Sequence, residues 1–248
     1  MAGGRQHLLA RRSDLSVEGK VVLITGSSSP VGIRLAELFV EAGALTALSV
    51  RRSRDVESLQ RRFFDRPSPP LIVRCDLQQE EEIVRAIHRV VDRYGRIDVV
   101  INAVSITGPK LPVINYPVDP WRNVLATNLT GAYLVCREAL PWMERQGGGS
   151  IINVTSAWGS QIKPQGGAFI ISTQALEGLT QLLAAEHRGT GVRINSVEIP
   201  GGLTGDAAED AQWTLPFLWL ASDEAGNVTG RKIQAMGFKQ PSSTTPVN

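Results

Sequence analysis

The chain has 248 residues and a formal net charge of +2, with acidic and basic residues interspersed along its length. That length suits one α/β domain with a sizeable core, and the mixed charge argues against nucleic acid as a partner. Its two cysteines, Cys75 and Cys136, have no metal-ligand spacing and read as buried thiols of a reducing compartment.

No apolar run reaches membrane-spanning length, and the opening "MAGGRQHLLARRSDLSVEGK" lacks the apolar stretch of a secretory signal. A cytoplasmic protein is expected. Residues 1–17, with Arg5, Arg11 and Arg12, form a polar lead-in. Lys20–Gly26, "KVVLITG", then has the length and composition of a buried strand, and Arg34–Ala44 places Leu35, Leu38 and Phe39 at helical spacing. "LTALSV" and "PPLIVRCDL" read as a second and a third strand. "EEEIVRAIHRVVDRYG" reads as an amphipathic helix with Ile83, Ile87, Val90 and Val91 on one face. "IDVVINAV" is a fourth strand, followed by a long helix over Trp121–Met143. "GSIINVTS" is a fifth strand, "STQALEGLTQLLAAEH" a helix, "VRINSVEI" a sixth strand and "RKIQAMG" a short seventh.

Strands alternating with helices predict a parallel sheet of about seven strands with helices on both faces, as a single doubly wound α/β domain over residues 18–238. Residues 239–248, polar and Pro-bearing, read as a mobile tail. Ligands of such sheets bind at the carboxyl ends of the strands. "TGSSSPVG", Thr25–Gly32, stands between the first strand and the first helix, the place of a phosphate-binding turn. Gly26 allows the sharp turn, Ser27, Ser28 and Ser29 offer hydroxyls and amides to a diphosphate, and Gly32 allows close packing. Pro30 removes one amide from that turn, although proline suits a first helical turn. After the second strand Val50 holds the tip where an acidic residue would favour NAD. Arg51 and Arg52 follow it and suit a 2′-phosphate, so NADP is the expected cofactor.

From Lys20 to Gly237 the chain resembles the short-chain dehydrogenases/reductases, most closely their ketoacyl-carrier-protein-reductase-like branch. The resemblance rests on "TGSSSPVG", "CDL", "INAV", "NLTGAYLV", "INVTS", "GLTQLLAAE", "PGG" and "FLWLASDEAGNVTG", in that order. It implies a Rossmann sheet, an NAD(P) cofactor, hydride transfer at a carbonyl or alcohol, and assembly into dimers or tetramers. It extends the cofactor-binding set to Val31, Asp76, Leu77, Asn102, Thr173, Pro200 and Gly201. It also implies a catalytic Asn, Ser, Tyr and Lys, of which Asn128 and Ser156 match the first two.

Aligned on "GLTQLLAAE", Phe169 holds the Tyr position and Thr173 the Lys position. A phenyl ring has no exchangeable proton, and a threonine brings no charge to lower a neighbour's pKa. Ala103, Val104 and Ser105 follow Asn102 where the family has a tight polar turn. Glu198 lies in a stretch that reads as irregular and one residue long, and only a short segment stands where a helical lid is usual. Lys163, between Ser156 and Phe169, is the candidate replacement acid or base, with Glu198 second. Trp158 reads as an apolar wall or as core. Tyr133 and His187 read as structural.

Three functions remain open on the sequence. One is a non-redox small-molecule catalyst of isomerase, dehydratase or cyclase type that uses Ser156 and Asn128. Another is an NADPH-dependent reductase with a displaced donor such as Lys163. The third is a non-catalytic subunit, alone or with an active paralogue.

Overall fold

The computed structural model describes residues 15–201 and 207–240, without the side chains of residues 207–212. Its core is one parallel sheet of seven strands: β1 (Val21–Thr25), β2 (Leu45–Val50), β3 (Leu71–Arg74), β4 (Val99–Asn102), β5 (Gly149–Ser156), β6 (Val192–Ile199) and β7 (Lys232–Gln234), in the order β3-β2-β1-β4-β5-β6-β7. The doubly wound α/β architecture expected from the alternation is the one observed.

Both faces of the sheet are covered, which is why its strands read as apolar runs rather than alternating ones. Val22 and Ile24 of β1 point to one face and pack with Leu35, Leu38 and Phe39 of α1 (Pro30–Glu41), Leu59 of α2 (Ser53–Arg62) and the Trp213–Ala221 part of α8 (Ala207–Ala221). Val21 and Leu23 point to the other face. There they meet Ile83, Ile87 and Val90 of α3 (Glu80–Tyr94), Leu134 and Met143 of α5 (Gly131–Arg145) and Ala184 of α7 (Gly167–Glu186). Leu15 and Val17, at the end of the segment read as a polar lead-in, are buried in the first of these clusters.

Several boundaries depart from the sequence reading. Helix α2 was not expected, because "SRDVESLQRR" buries only Leu59 and its apolar signal is thin. Helix α8 was not expected either. From Trp213 to Ala221 its described side chains are buried all round, which removes the helical period from the sequence, and it contains Pro216. The long helix over Trp121–Met143 is α4 (Val118–Leu125) joined to α5 through a π turn at Ala126–Thr130. Helix α7 starts five residues before Ser172, so Phe169 and Thr173 stand in its first two turns. Strand β6 is regular. It pairs with β5 without interruption from Gly149 opposite Val192 to Ser156 opposite Ile199, and the irregularity expected around Glu198 is absent. The tail residues 241–248, and Gly202 with the start of the segment expected to be a short lid, lie outside the described residues.

Candidate functional site

The carboxyl ends of β1 to β6 carry the candidate residues, and the turn after β1 is built as its sequence requires. Gly26 has φ +68°, a conformation that glycine adopts without strain. Ser29 caps α1, its hydroxyl accepting from the Gly32 N–H at 3.0 Å. Pro30 is the first residue of α1, where its missing N–H leaves no helical bond unmade. Gly32 lies so close to the turn that a Cβ there would run into the Gly26 carbonyl oxygen.

A cleft of about 250 Å³ opens beside this turn. Of the residues assigned to the cofactor from the sequence, Gly26, Ser28, Ser29, Arg51, Arg52, Asp76 and Leu77 line it. Arg51 donates from Nε to Asp76 at 3.0 Å across the tips of β2 and β3, and Arg52 stands at the N-cap of α2. Sequence reasoning missed Ser49, Cys75 and Asp55 on the same wall, although the first two sit at strand ends where such ligands bind. Burial pushes the Cys75 thiol up to about 11, against a hydrogen bond from Ser49 that lowers it, which disfavours the thiolate. Thr127, from the π turn, also lines the cleft and carried no sequence signal. Val104 crowds the turn, its Cγ2 lying 2.8 Å from where a Cβ on Gly26 would be.

The remaining cofactor candidates lie elsewhere. Asn102 is buried in the sheet, where its amide donates to Asn153 at 2.9 Å. Val31 packs half-buried on the core from α1. Pro200 and Gly201 follow β6, and a Cβ on Gly201 would come within 3.1 Å of Trp158 Cβ and 3.9 Å of Ser156 Oγ.

Asn128 meets α7 at Ser172, and the polar groups of Asn128 and Thr173 are turned inward. Asn128 sits in the π turn and is spent on structure: its Oδ1 accepts from Ile106 N at 2.9 Å, while its Nδ2 donates to Ile106 O at 2.9 Å and Ser172 Oγ at 3.0 Å. Thr173 is buried and donates to the carbonyl of Phe169 at 2.9 Å. Gly159, in the short helix α6 (Ala157–Ser160), is packed against the Thr173 hydroxyl so closely that a Cβ would meet it. Phe169 is itself buried, its ring 5.0 Å from that of Trp158. Ser156 is the exception. Its Oγ accepts from Trp158 N at 3.3 Å and donates to no described residue, so its proton is free for a substrate oxygen.

Neither replacement acid or base stands where the sequence reading needed it. Lys163 is exposed in the loop between α6 and α7. Glu198 is tied into a ladder of charges behind β5 and β6, where Lys232 pairs with it at 2.5 Å and also donates to Ser160 at 2.9 Å. Burial alone would raise the Glu198 carboxyl, but Lys232 and the Ser160 hydroxyl outweigh it and hold it below its ordinary value. Tyr133 packs under Arg137 on α5, and His187 contacts Glu144 at 2.7 Å beyond the far end of α7, as structural roles require. A larger cavity, about 550 Å³, lies at the amino ends of the strands. Its wall holds two ion pairs, Lys20 with Asp223 and Arg96 with Asp98, together with Glu18 and Arg193, and none of the candidate residues.

The strand order, the glycine turn at the head of α1 and the meeting of Asn128 with α7 set the context for comparison with known proteins. A family model described as short chain dehydrogenase matches residues 20–214. The chain belongs to the short-chain dehydrogenase family. It is 30% identical over 242 residues to the 3-oxoacyl-acyl-carrier-protein reductase FabG of Thermotoga maritima, a match covering 88% of this chain and 97% of that protein. It is 29% identical over 241 residues to the D-threitol dehydrogenase of Mycolicibacterium smegmatis, covering 89% and 92% of the two chains. Among solved structures, a short-chain dehydrogenase/reductase from Burkholderia xenovorans superposes with a TM-score of 0.81 at 28% identity, over 90% of this chain and 96% of that one. A short chain dehydrogenase of Shigella flexneri complexed with NADP shares the fold, with a TM-score of 0.81 at 23% identity over 89% and 98% of the chains. No helix among the described residues is long and apolar enough to cross a membrane.

Proposed function

We propose that this short-chain dehydrogenase relative binds NADP(H) but has lost the family's proton-coupled hydride transfer, and that its pocket at Ser156 handles a small molecule by non-redox chemistry of isomerase, dehydratase or cyclase type. One observation carries the reading. Where the resemblance calls for a phenol and an amine there are a phenyl ring and a hydroxyl, and that hydroxyl is turned into its own helix against the Phe169 carbonyl. The Asn128 amide, the third member of the relay, is likewise consumed by Ile106 and Ser172. Of the residues matched to the family's relay, Ser156 keeps its hydroxyl proton and can polarise a substrate oxygen.

The donor set of the cleft fits a phosphorylated dinucleotide. The left-handed turn at Gly26 and the N-terminus of α1, where the Ser29 cap takes the Gly32 N–H and leaves that of Val31, suit a diphosphate, and Arg51 with Arg52 suits a 2′-phosphate. A nicotinamide dinucleotide, when bound, supplies a hydride donor or acceptor. On this reading the residues of this chain that face it bind and orient it and move no proton. Titration with NADPH and NADH by calorimetry tests the cofactor assignment. NADPH is expected to bind more tightly, and Arg51→Ala to lower its affinity about tenfold while changing that for NADH little. Equal affinities for both dinucleotides in the parent, or no binding of either, would remove the NADP assignment.

The displaced-donor reading has less support, because Lys163 is exposed. We expect a homo-oligomer, since Ile171 and Leu182 of α7 are 44 and 56% exposed and Tyr133 of α5 is 41% exposed. A monomeric mass by light scattering would contradict this.

A further inference from the structure

We infer that Asp76 sets how strongly this chain prefers a 2′-phosphorylated dinucleotide, by neutralising Arg51 on the wall of the cleft beside the first turn. The inference rests on the reading of that cleft as a dinucleotide site and names a residue that determines its specificity by acting through another.

Charge balance is the first ground. Of the described residues that line the cleft, the charged ones are Arg51, Arg52, Asp55 and Asp76. Two cations stand with two anions, so the arginines do not make the basic wall that their sequence suggests. Arg51 and Asp76 are paired with each other, the Arg51 Nε donating to Asp76 Oδ2 at 3.0 Å. Arg52 has no ion-pair partner among the described residues.

The second ground is that Asp76 is fixed while Arg51 is held at one point. Asp76 Oδ1 accepts from Gln78 N at 3.1 Å, and the Asp76 backbone N donates to Glu82 Oε2 at 2.8 Å. The Arg51 side chain is 61% exposed against 21% for that of Asp76, and its Nη groups meet no acceptor among the described residues. An ion pair so exposed adds little to stability. What it changes is the charge that a ligand meets. A 2′-phosphate accepting from the Nη groups finds a guanidinium that a carboxylate already offsets at its Nε.

Asp55 supplies an internal contrast. It lines the same cleft with the same charge, but it stands in the first turn of α2 and its nearest ion-pair partner is Arg54, at 3.9 Å. An effect of negative charge in general would come from either acid, whereas an effect through Arg51 comes from Asp76.

The test is calorimetric titration with NADPH and NADH, at fixed ionic strength, of the parent, Asp76→Asn, Asp55→Asn, Arg51→Ala and the Asp76→Asn/Arg51→Ala double variant. Asp76→Asn removes the charge and keeps an oxygen to accept from Gln78 N, so its melting temperature is expected to stay unchanged. It is expected to bind NADPH about tenfold more tightly than the parent, and NADH within about twofold, a gain that salt weakens. Asp55→Asn is expected to change NADPH affinity by no more than about twofold, and so is Asp76→Asn in the Arg51→Ala background. An unchanged preference in Asp76→Asn would overturn the inference, and equal losses for both dinucleotides would make Asp76 a direct ligand instead. A gain that survives in full without Arg51, or an equal gain from Asp55→Asn, would overturn it in favour of bulk charge. Equal affinities in the parent, with NADPH preferred by Asp76→Asn, would sustain it and remove the NADP assignment for the parent alone. Binding of neither dinucleotide by any of these proteins would overturn both.

Discussion

Replacing Phe169 by Tyr and Thr173 by Lys together is expected to raise NADPH-dependent carbonyl reduction about 10²–10⁴-fold over the parent, the range that general acid–base catalysis supplies. The phenol restores an exchangeable proton at the position that the resemblance assigns to a Tyr, and the ammonium lowers the phenol pKa by its charge. Neither change suffices by itself. Phe169 is 4% exposed, so a lone tyrosine there is desolvated and its pKa is pushed up. A lone Thr173→Lys buries an ammonium with no phenol to act on, at a cost in stability. The assay is single-turnover oxidation of NADPH with a panel of ketones and aldehydes. A parent enzyme as fast as the double variant would show that the relay was never lost. A double variant that binds NADPH yet stays silent would place the divergence in the substrate pocket instead.

Gly32→Val is expected to damage the protein most by a single change. A Cβ at this position would run into the Gly26 carbonyl oxygen and come within 2.7 Å of Ser27 Cα, both backbone atoms that cannot swing aside. Helix α1 would have to lift off β1, opening the contact of Leu35, Leu38 and Phe39 with the sheet. Overpacking of this kind costs about 3 kcal/mol, which in a domain of this size lowers Tm by roughly 6–12 °C. The same displacement opens the turn that cradles the dinucleotide, so NADPH affinity should fall together with stability. Unchanged melting with lost NADPH binding would mean that the loop yields locally and α1 stays docked.

Much of the site was legible in the sequence because local pattern and chemistry coincide there. Gly26, Ser29 and Gly32 are required by a strand–turn–helix junction whatever surrounds it, and Pro30 fits because its place in the first turn needs no amide. The identities of Phe169 and Thr173 could be set against the family pattern by counting residues. The inward turn of Thr173 could not be counted, because it depends on where α7 begins and on Gly159 lying against it. Glu198 was misjudged for a related reason. An acidic residue in an odd-looking stretch suggested a pocket, while in space it stands opposite Thr155 in an unbroken ladder and pairs with Lys232 from β7.

The alternation of apolar runs with amphipathic helices determined the class of fold without help. A strand buried on both faces and a helix with one apolar stripe have few ways to satisfy each other, and a parallel sheet sandwiched between helices is the one this order allows. The sequence also determined that Phe169 and Thr173 stand where the resemblance places a Tyr and a Lys, and a phenyl group carries no exchangeable proton in any environment. Tertiary structure decided everything that depends on contact between distant segments: that α2 and α8 are helices, that Asn128 is held by Ile106 and Ser172, and that of the residues matched to the family's catalytic positions Ser156 keeps a proton to offer. Periodicity is a property of neighbours along the chain. A hydrogen bond between residues 44 apart, such as Asn128 to Ser172, exists only once the sheet has brought their helices together.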